Sequence, residues 1–252
     1  MCLLVARLKD SNWLPTVSEQ ENAWNSNPHG FGIGWLAEDG LLYTSKTPDK
    51  RDVKAMLERI PSGAPAIMHW RFATHGSKNV QNCHPWPCFG RRWIGAHNGV
   101  LSLQPCEEGL TDSQSFLNTL KGDGPNIPQV EKRIAKLGYG KFAFLSDKGR
   151  VLIANEKEGS WRVKGEVWQS NTALDSSWGC TGLLPRRSWD DTDWRDPWYT
   201  KPSKKVSGFS TASWDEPSVL TRLKCDWCMA DSVTYSTDEG DMICADCARG
   251  LE

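Results

Sequence analysis

The sequence predicts a layered α/β or α+β fold, and three observations carry that prediction. Short apolar runs rich in Val, Ile, Trp and Phe recur between corners containing Gly, Asp and Pro, as strands do. Between them, three stretches switch to a helical period. Helices interleaved with hairpins bury their apolar faces on sheets, which produces layers and leaves the strand order open.

The elements follow in order. "CLLVARL" (2–8) reads as a buried strand. "HGFGIGWLAEDGLLYTS" (29–45) reads as two strands about an Asp39-Gly40 turn, a strong hairpin signal because that dipeptide tolerates the positive φ of a tight turn. In "TPDKRDVKAMLERIP" (47–61), Val53, Met56, Leu57 and Ile60 share one helical face, Thr47 is placed to cap, Pro48 sits at the first turn and Pro61 stops the helix. "APAIMHWRFATHG" (64–76) and "RRWIGAHNGVL" (91–101) are strands running into polar, glycine-containing corners. "LTDSQSFLNTL" (110–120) starts a helix with Thr111 and Gln114 at capping-box spacing, and 127–137 forms a third. "KFAFLSDKGRVLIANE" (141–156) and "SWRVKGEVWQSNT" (160–172) return to strands and turns.

After about residue 171 the character changes. Residues 173–221 are rich in Trp, Asp, Pro and Ser without a sustained period, too aromatic for an ordinary linker, and read as an extended arm whose tryptophans pack on the main domain. Base stacking is the weaker alternative. Residues 222–250 carry two CxxC pairs, Cys225/Cys228 and Cys244/Cys247, a spacing that suits a tetrahedral, structural Zn2+ and a small ribbon or knuckle. Four thiolates leave no open position for catalysis. Nucleic-acid binding by such a knuckle is disfavoured by the acidic "ADSVTYSTDEGD". The final Leu251-Glu252 pair is set aside as a cloning remnant.

A net charge of -1 gives no global field favouring nucleic acid or membranes. No run approaches the ~20 apolar residues of a membrane helix. Nine cysteines without a secretory leader fit a reducing compartment better than a disulfide scaffold, so the expectation is cytoplasmic. Cys83, Cys88, Cys106 and Cys180 have no convincing ligand spacing and read as unreactive thiols.

Chemistry gathers at Cys2. Once Met1 is removed, the residue carries both a thiol and a free α-amine with ordinary pKa values near ~8.5 and ~8, a nucleophile and a base in one place. With it stand "HWRFATHG" (69–76), "NCHPW" (82–86), "AHNGVL" (96–101) and "TDSQ" (111–114). On these motifs, in this order, the chain resembles the glutamine-hydrolysing domain of class II amidotransferases, which are N-terminal-nucleophile hydrolases. "NPHGFGIGW" and "VWQSNT" are similar to the compact, stand-alone branch of that family.

The resemblance spans residues 2–172. It implies an α+β fold, a four-layer αββα N-terminal-nucleophile hydrolase sandwich, here followed by the small zinc-binding appendage. It implies Cys2 as nucleophile, with its own amine as proton shuttle, and Asn98 and Gly99 as donors to the tetrahedral oxyanion. Arg71 would clamp a substrate α-carboxylate, Thr74 and His75 would extend that pocket, and Asp112 would receive the α-ammonium. Each has a plainer alternative: a structural thiol for Cys2, an internal ion pair for Arg71, a fold-holding corner for His75, and an ordinary Asn-Gly turn for residues 98–99.

Two departures from the family stand out. Gln114 occupies a position where glutamate is frequent, which weakens the case for free glutamine against another γ-glutamyl compound. His29 replaces a frequent aspartate and serves either the nucleophile or the packing of its turn. Asn82 and His84 are expected to brace the pocket floor, with Pro85 fixing the corner. The expected reaction is hydrolysis of the glutamine side-chain amide through a Cys2 thioester, with one structural Zn2+, no organic cofactor, and an ammonia-accepting synthase supplied in trans. The alternatives are an amidohydrolase of another γ-glutamyl metabolite and a catalytically silent zinc-stabilised binding module.

Overall fold

The computed structural model describes residues 2–73, 78–103 and 111–175, together with the backbone of residues 218–219, 235–236 and 242–243. The first sheet contains β1 (Leu3–Arg7), β2 (Phe31–Leu36), β3 (Leu42–Thr47) and β4 (Ala66–Trp70). The second contains β5 (Trp86–Cys88), β6 (Trp93–Leu101), β7 (Gly138–Ser146) and β8 (Val151–Ala154). The chain then returns to the first sheet with β9 (Ser160–Arg162), β10 (Val167–Gln169) and the two-residue β11 (Ser218–Val219). The orders are β11-β3-β2-β4-β1-β10-β9 and β5-β6-β7-β8. Every pairing is antiparallel.

Among the described residues, four α-helices cover the two sheets: α1 (Val17–Ser26), α2 (Val53–Glu58), α3 (Asp112–Asn118) and α4 (Ile127–Leu137). Three apolar clusters define the layering. Ala23, Val53, Met56 and Leu57 of α1 and α2 pack with Leu3, Val5, Phe31, Ile33 and Trp70 on one face of the first sheet. Leu4, Ala6, Ile67 and Trp168 on its other face meet Ile94, Ala96, Ala143 and Leu145 of the second sheet. The far face of the second sheet, with Phe142 and Phe144, takes Phe116, Leu117, Val130 and Ile134 of α3 and α4. The stacking is therefore helix, sheet, sheet, helix. β1 explains why "LLVAR" is apolar throughout: successive side chains alternate between faces, and both faces are covered. Each fully buried Leu, Ile or Phe contributes ~1.5–3 kcal/mol.

Arg7 closes β1 in an apolar setting, with no carboxylate paired to it among the described residues. Its guanidinium donates to the carbonyls of Ala64, Pro61 and Trp13, which ties the corner after α2 to the strand that begins at Leu3. Burial pushes its pKa down to about 10.

The local signals are met at α3, where Thr111 and Gln114 form the reciprocal capping box, and at α4, which runs over 127–137 with an Asn126 cap and Pro128 in its first turn. At α2 the start differs from expectation. Thr47 ends β3, Asp49 caps a short 3-10 turn (Lys50–Asp52), and α2 begins after that turn. The Thr47 hydroxyl donates to Asp52 at 2.6 Å and its oxygen accepts from Asp49 N–H at 2.9 Å, so it braces the turn instead of capping the helix. α1 has no counterpart in the sequence reading: Ala23 is its one fully buried residue, so its apolar period is faint.

The zinc appendage is a correction. A Zn2+ site needs thiolates converging within ~2.3 Å of one point, which a CxxC spacing permits without bringing about. Among the described residues, no group of three or more His, Cys, Asp or Glu side chains is placed to hold a metal. Cys225, Cys228, Cys244 and Cys247 themselves lie outside the described residues. Of the segment between the two CxxC pairs, the described backbone is a two-stranded antiparallel pair, β12 (Tyr235–Ser236) and β13 (Met242–Ile243). The supported fold is α+β, with two principal sheets and four helices and no zinc module indicated. Most of the Trp-rich segment likewise lies outside the described residues. Among the described residues, no helix is long and apolar enough to cross a membrane.

Candidate active site

The register of β1 on β4 creates the site. Leu3 pairs with Trp70, so Cys2 stands opposite Arg71 one step beyond the ladder. The next residue completes the contact: Phe72 N–H donates to Cys2 Sγ at 3.3 Å, and the thiol faces the Phe72 carbonyl at 3.4 Å. Cys2 is half-buried. Burial raises its pKa, opposed by the Phe72 N–H, the positive chain terminus and Arg71. Arg71 is 3% exposed, and burial lowers its pKa from the ordinary guanidinium value.

His29 holds the Arg71–Ala73 turn from outside. Its backbone N–H donates to the Arg71 carbonyl at 3.0 Å, its Nδ1 accepts from Ala73 N–H at 2.9 Å, and its ring lies 5.0 Å from that of Phe72. This places His29 against the turn that contacts the sulfur. Thr74 and His75 lie outside the described residues.

Asn98 and Gly99 occupy β6, in the second sheet, and reach the first through the corner after β10. Asn98 Nδ2 stands 2.7 Å from Ser170 Oγ, and Ser170 in turn exchanges hydrogen bonds with the backbone of Leu4. The neighbouring Asn171 donates from Nδ2 to the Cys2 carbonyl at 2.8 Å. Ser170 thus touches Leu4 and Asn98, and Asn171 touches Cys2. Neither was singled out from the sequence, although "VWQSNT" was the segment to inspect.

Gly99 has a packing reason to be glycine. It pairs with Gly140 of β7, and a Cβ on Gly99 would lie 2.3 Å from the Tyr139 carbonyl oxygen and 2.7 Å from His97 Nε2. The paired glycines form a notch filled by the His97 ring.

Asp112 opens α3 with its oxygens already engaged. Oδ2 accepts from Leu101 N–H at 2.9 Å, and Oδ1 accepts from Ser113 N–H at 2.8 Å and from the Ser113 hydroxyl at 3.2 Å. The carboxylate pins the end of β6 to the start of α3. A carboxylate has further lone pairs to offer a ligand, yet its position is set by these protein contacts. Gln114 is the reciprocal capping partner of Thr111.

His69 and His84 meet between the sheets and both bond the His97 backbone, while the His97 ring lies on the far face of the second sheet against Phe142, 4.2 Å away. Nothing local in the chain announces this arrangement. His69 of β4 donates from Nε2 to the His97 carbonyl at 3.0 Å and stacks on His84, with ring centroids 3.9 Å apart. His84 Nδ1 accepts from His97 N–H at 3.0 Å, and its other neighbour is the Trp86 ring at 4.0 Å. His97 Nδ1 lies 2.8 Å from Ser113 Oγ. Burial pushes His69 down to about 3 and His84 well below its usual value. Burial also holds His97 near about 4 against the pull of Asp112. All three are neutral at pH 7. His84 precedes a cis bond to Pro85, and Asn82 is buried at the end of the short turn before it. Lys46 lies over the Trp86 ring at 5.3 Å and is pushed down to about 8 by burial.

The sequence pattern of the family described as glutamine amidotransferases class-II matches residues 13–163, more than half of the chain. The chain belongs to that family. Its relatives include a glutamine–fructose-6-phosphate aminotransferase (isomerizing) of Streptococcus pyogenes serotype M6, 27% identical over 124 residues that cover 42% of this chain and 20% of that protein. The enzyme of the same name from Leifsonia xyli subsp. xyli is 38% identical over 73 residues, covering 28% of this chain and 12% of that one. Among solved structures, the glutamine phosphoribosylpyrophosphate amidotransferase of B. subtilis, in complex with ADP and GMP, aligns with a TM-score of 0.47 at 17% identity, over 70% of this chain and 43% of that one. The chain spans between 12% and 37% of the length of the curated relatives it matches.

For this class-II amidotransferase domain, the matched stretch contains Arg71, Asn98, Gly99 and Asp112 and begins after Cys2. The position of Cys2 comes instead from the β1–β4 register and the Phe72 contact.

Proposed function

We propose that this domain hydrolyses the side-chain amide of glutamine, with Cys2 as the nucleophile. The observation that supports the reading best is the Cys2 sulfur beside Arg71, receiving the Phe72 N–H at 3.3 Å in a family of glutamine amidotransferases. Because burial raises the thiol pKa, the resting group is protonated and needs a base. Removal of Met1 exposes the Cys2 amine, which takes the thiol proton as sulfur attacks the amide carbon. The same proton passes to the departing nitrogen as the tetrahedral adduct collapses to a thioester and ammonia. Water, deprotonated by the amine, then attacks the thioester and releases glutamate and the thiol.

Arg71 pairs with the substrate α-carboxylate, Thr74 and His75 line the same pocket, and Asp112 receives the α-ammonium. Asn98 and the Gly99 N–H donate to the developing oxyanion. His29, Asn82 and His84 shape the pocket through the turns they hold. The ammonia passes to an acceptor synthase, the role suggested by relatives whose names pair glutamine with a second substrate.

A second reading, cleavage of another γ-glutamyl compound, is favoured by the engagement of Asp112 with Leu101 and Ser113 and by the neutral Gln114 beside it. An assay of glutamate and ammonia release from glutamine, run against γ-glutamyl amines and against Cys2→Ala, separates the two. Intact mass establishes Met1 removal first. Cys2→Ala is expected to abolish turnover on every substrate while leaving thermal unfolding unchanged. Turnover of γ-glutamyl amines without turnover of glutamine selects the second reading, and turnover that survives Cys2→Ala ends both.

A further inference from the structure

Asn98 and Ser170 are 2% and 1% exposed, and together they link the two sheets. Ser170 follows β10 directly. Its backbone N–H donates to the Leu4 carbonyl at 2.9 Å, and Leu4 N–H donates to Ser170 Oγ at 2.9 Å. A backbone N–H can only donate, so the hydroxyl oxygen is the acceptor there and its own proton remains to be placed. Asn98 Nδ2 stands 2.7 Å from that oxygen, while Asn98 Oδ1 is buried with no hydrogen-bond partner among the described residues.

In this orientation two N–H groups converge on one hydroxyl, the hydroxyl proton finds no acceptor, and a buried carbonyl oxygen is bare. Turning the amide by 180° puts Oδ1 against the Ser170 hydroxyl and repairs both defects at once. The two ends of a side-chain amide have the same shape, so hydrogen-bond partners alone select between them.

We propose that Ser170 is a positioning residue that sets the polarity of the Asn98 amide. Its hydroxyl, oriented by Leu4 N–H, donates to Asn98 Oδ1 and turns the Asn98 NH2 toward the buried position that holds no partner among the described residues. Leu4 lies in β1, two residues after Cys2, so the segment carrying the nucleophile also dictates which end of the amide is presented. An amide oxygen in that position would repel an oxyanion, whereas the NH2 donates to one. The functional consequence rests on the reading of Asn98 as the oxyanion donor; the polarity itself rests on the hydrogen bonds.

Two measurements test this on the full, processed chain. Neutron diffraction from deuterium-exchanged wild-type crystals reads the polarity directly: a deuteron on Ser170 Oγ pointing at Asn98 Oδ1 is expected, and an Asn98 ND2 group facing Ser170 overturns the proposal regardless of kinetics. Glutamine hydrolysis by Asn98→Ala, Ser170→Ala, Ser170→Thr and the Asn98→Ala/Ser170→Ala double variant reads the consequence. Ser170→Ala should lower kcat about tenfold with KM within about twofold, less than the ~100-fold or more typical of deleting an oxyanion donor. Ser170→Thr, which keeps the hydroxyl, should recover to within about threefold of wild type, and the double variant should match Asn98→Ala. A slow Asn98→Ala beside a Ser170→Ala of unchanged kcat refutes the role of Ser170 and leaves the oxyanion reading standing. An Asn98→Ala of unchanged kcat refutes that reading, and the catalytic role of Ser170 with it. Equal losses in Ser170→Ala and Ser170→Thr assign the serine to packing alone.

Discussion

Acid should unfold this domain through three buried histidines, His69 and His84 between the sheets and His97 under α3. Their protons are excluded by burial: His69 titrates near about 3, His97 near about 4 and His84 well below 6.5 in the folded state, against ~6.5 for each in the unfolded chain. The charged groups around them are Arg71, Lys46 and Asp112, of which the two cations oppose protonation and Asp112 favours it at His97. Between pH 6.5 and about 4 the unfolded chain binds more protons than the folded one, so stability rises with pH. The contribution is complete above pH ~6.5 and is lost as pH falls toward the folded-state values. At pH 5 the loss is about 2 kcal/mol for each of His69 and His97, or about 4 kcal/mol for the pair, with His84 acting in the same direction; that is a large fraction of the stability of many domains. The limiting slope is ~1.4 kcal/mol per pH unit for each histidine, so about 3 from His69 and His97 together. Urea unfolding at intervals from pH 7.5 to 5 measures it, above the range where carboxylates dominate. His69→Gln keeps a donor for the His97 carbonyl without a titrating ring and should reduce the slope by about 1.4 kcal/mol per pH unit. An unchanged slope in that variant would refute the neutral, buried state assigned to His69.

Other perturbations probe the frame of the site. Gly99→Ala drives a methyl group to within 2.3 Å of the Tyr139 carbonyl oxygen and 2.7 Å of His97 Nε2, so the β6–β7 pair must separate. A stability loss of ~1–3 kcal/mol or more is expected from urea melts, and a variant as stable as wild type would contradict the notch. Thr111→Ala removes one half of the α3 capping box and should cost about 1 kcal/mol in the same assay. Because Asp112 lies next to that cap, KM for glutamine in this variant should rise more than kcat falls if Asp112 binds the substrate ammonium.

Features built from neighbouring residues were legible before any fold was known. Asp39 and Gly40 sit in the short loop that turns β2 into β3: Gly40 N–H donates to the Ala37 carbonyl at 3.0 Å, and Gly40 takes the left-handed φ of +78° that closes the loop. α4 announces itself through Asn126, Pro128 and a strong apolar stripe containing Val130 and Ile134. α1 was missed because its face is mostly polar and draws its order from docking on the first sheet. Thr47 was misassigned because a threonine before Pro48 carries the same local signal whether it caps a helix or ends a strand. The expected zinc module shows the same limit at longer range: two CxxC pairs describe a possible ligand set, whereas coordination demands convergence.

Cys2, Arg71, Asn98 and Asp112 were readable as members of one motif set because residue type and order in the chain are properties of the sequence. Their contacts were not. The placement of Cys2 against Phe72 N–H follows from β1–β4 register, the link from Asn98 to Leu4 through Ser170 joins residues from two sheets, and the histidine stack exists only where those sheets pack face to face. Local chemistry is encoded within a few residues of chain, where propensity and capping act. The polarity of an amide, the charge state of a buried ring and the orientation of a thiol depend on partners tens of residues away, and those partners are supplied by packing.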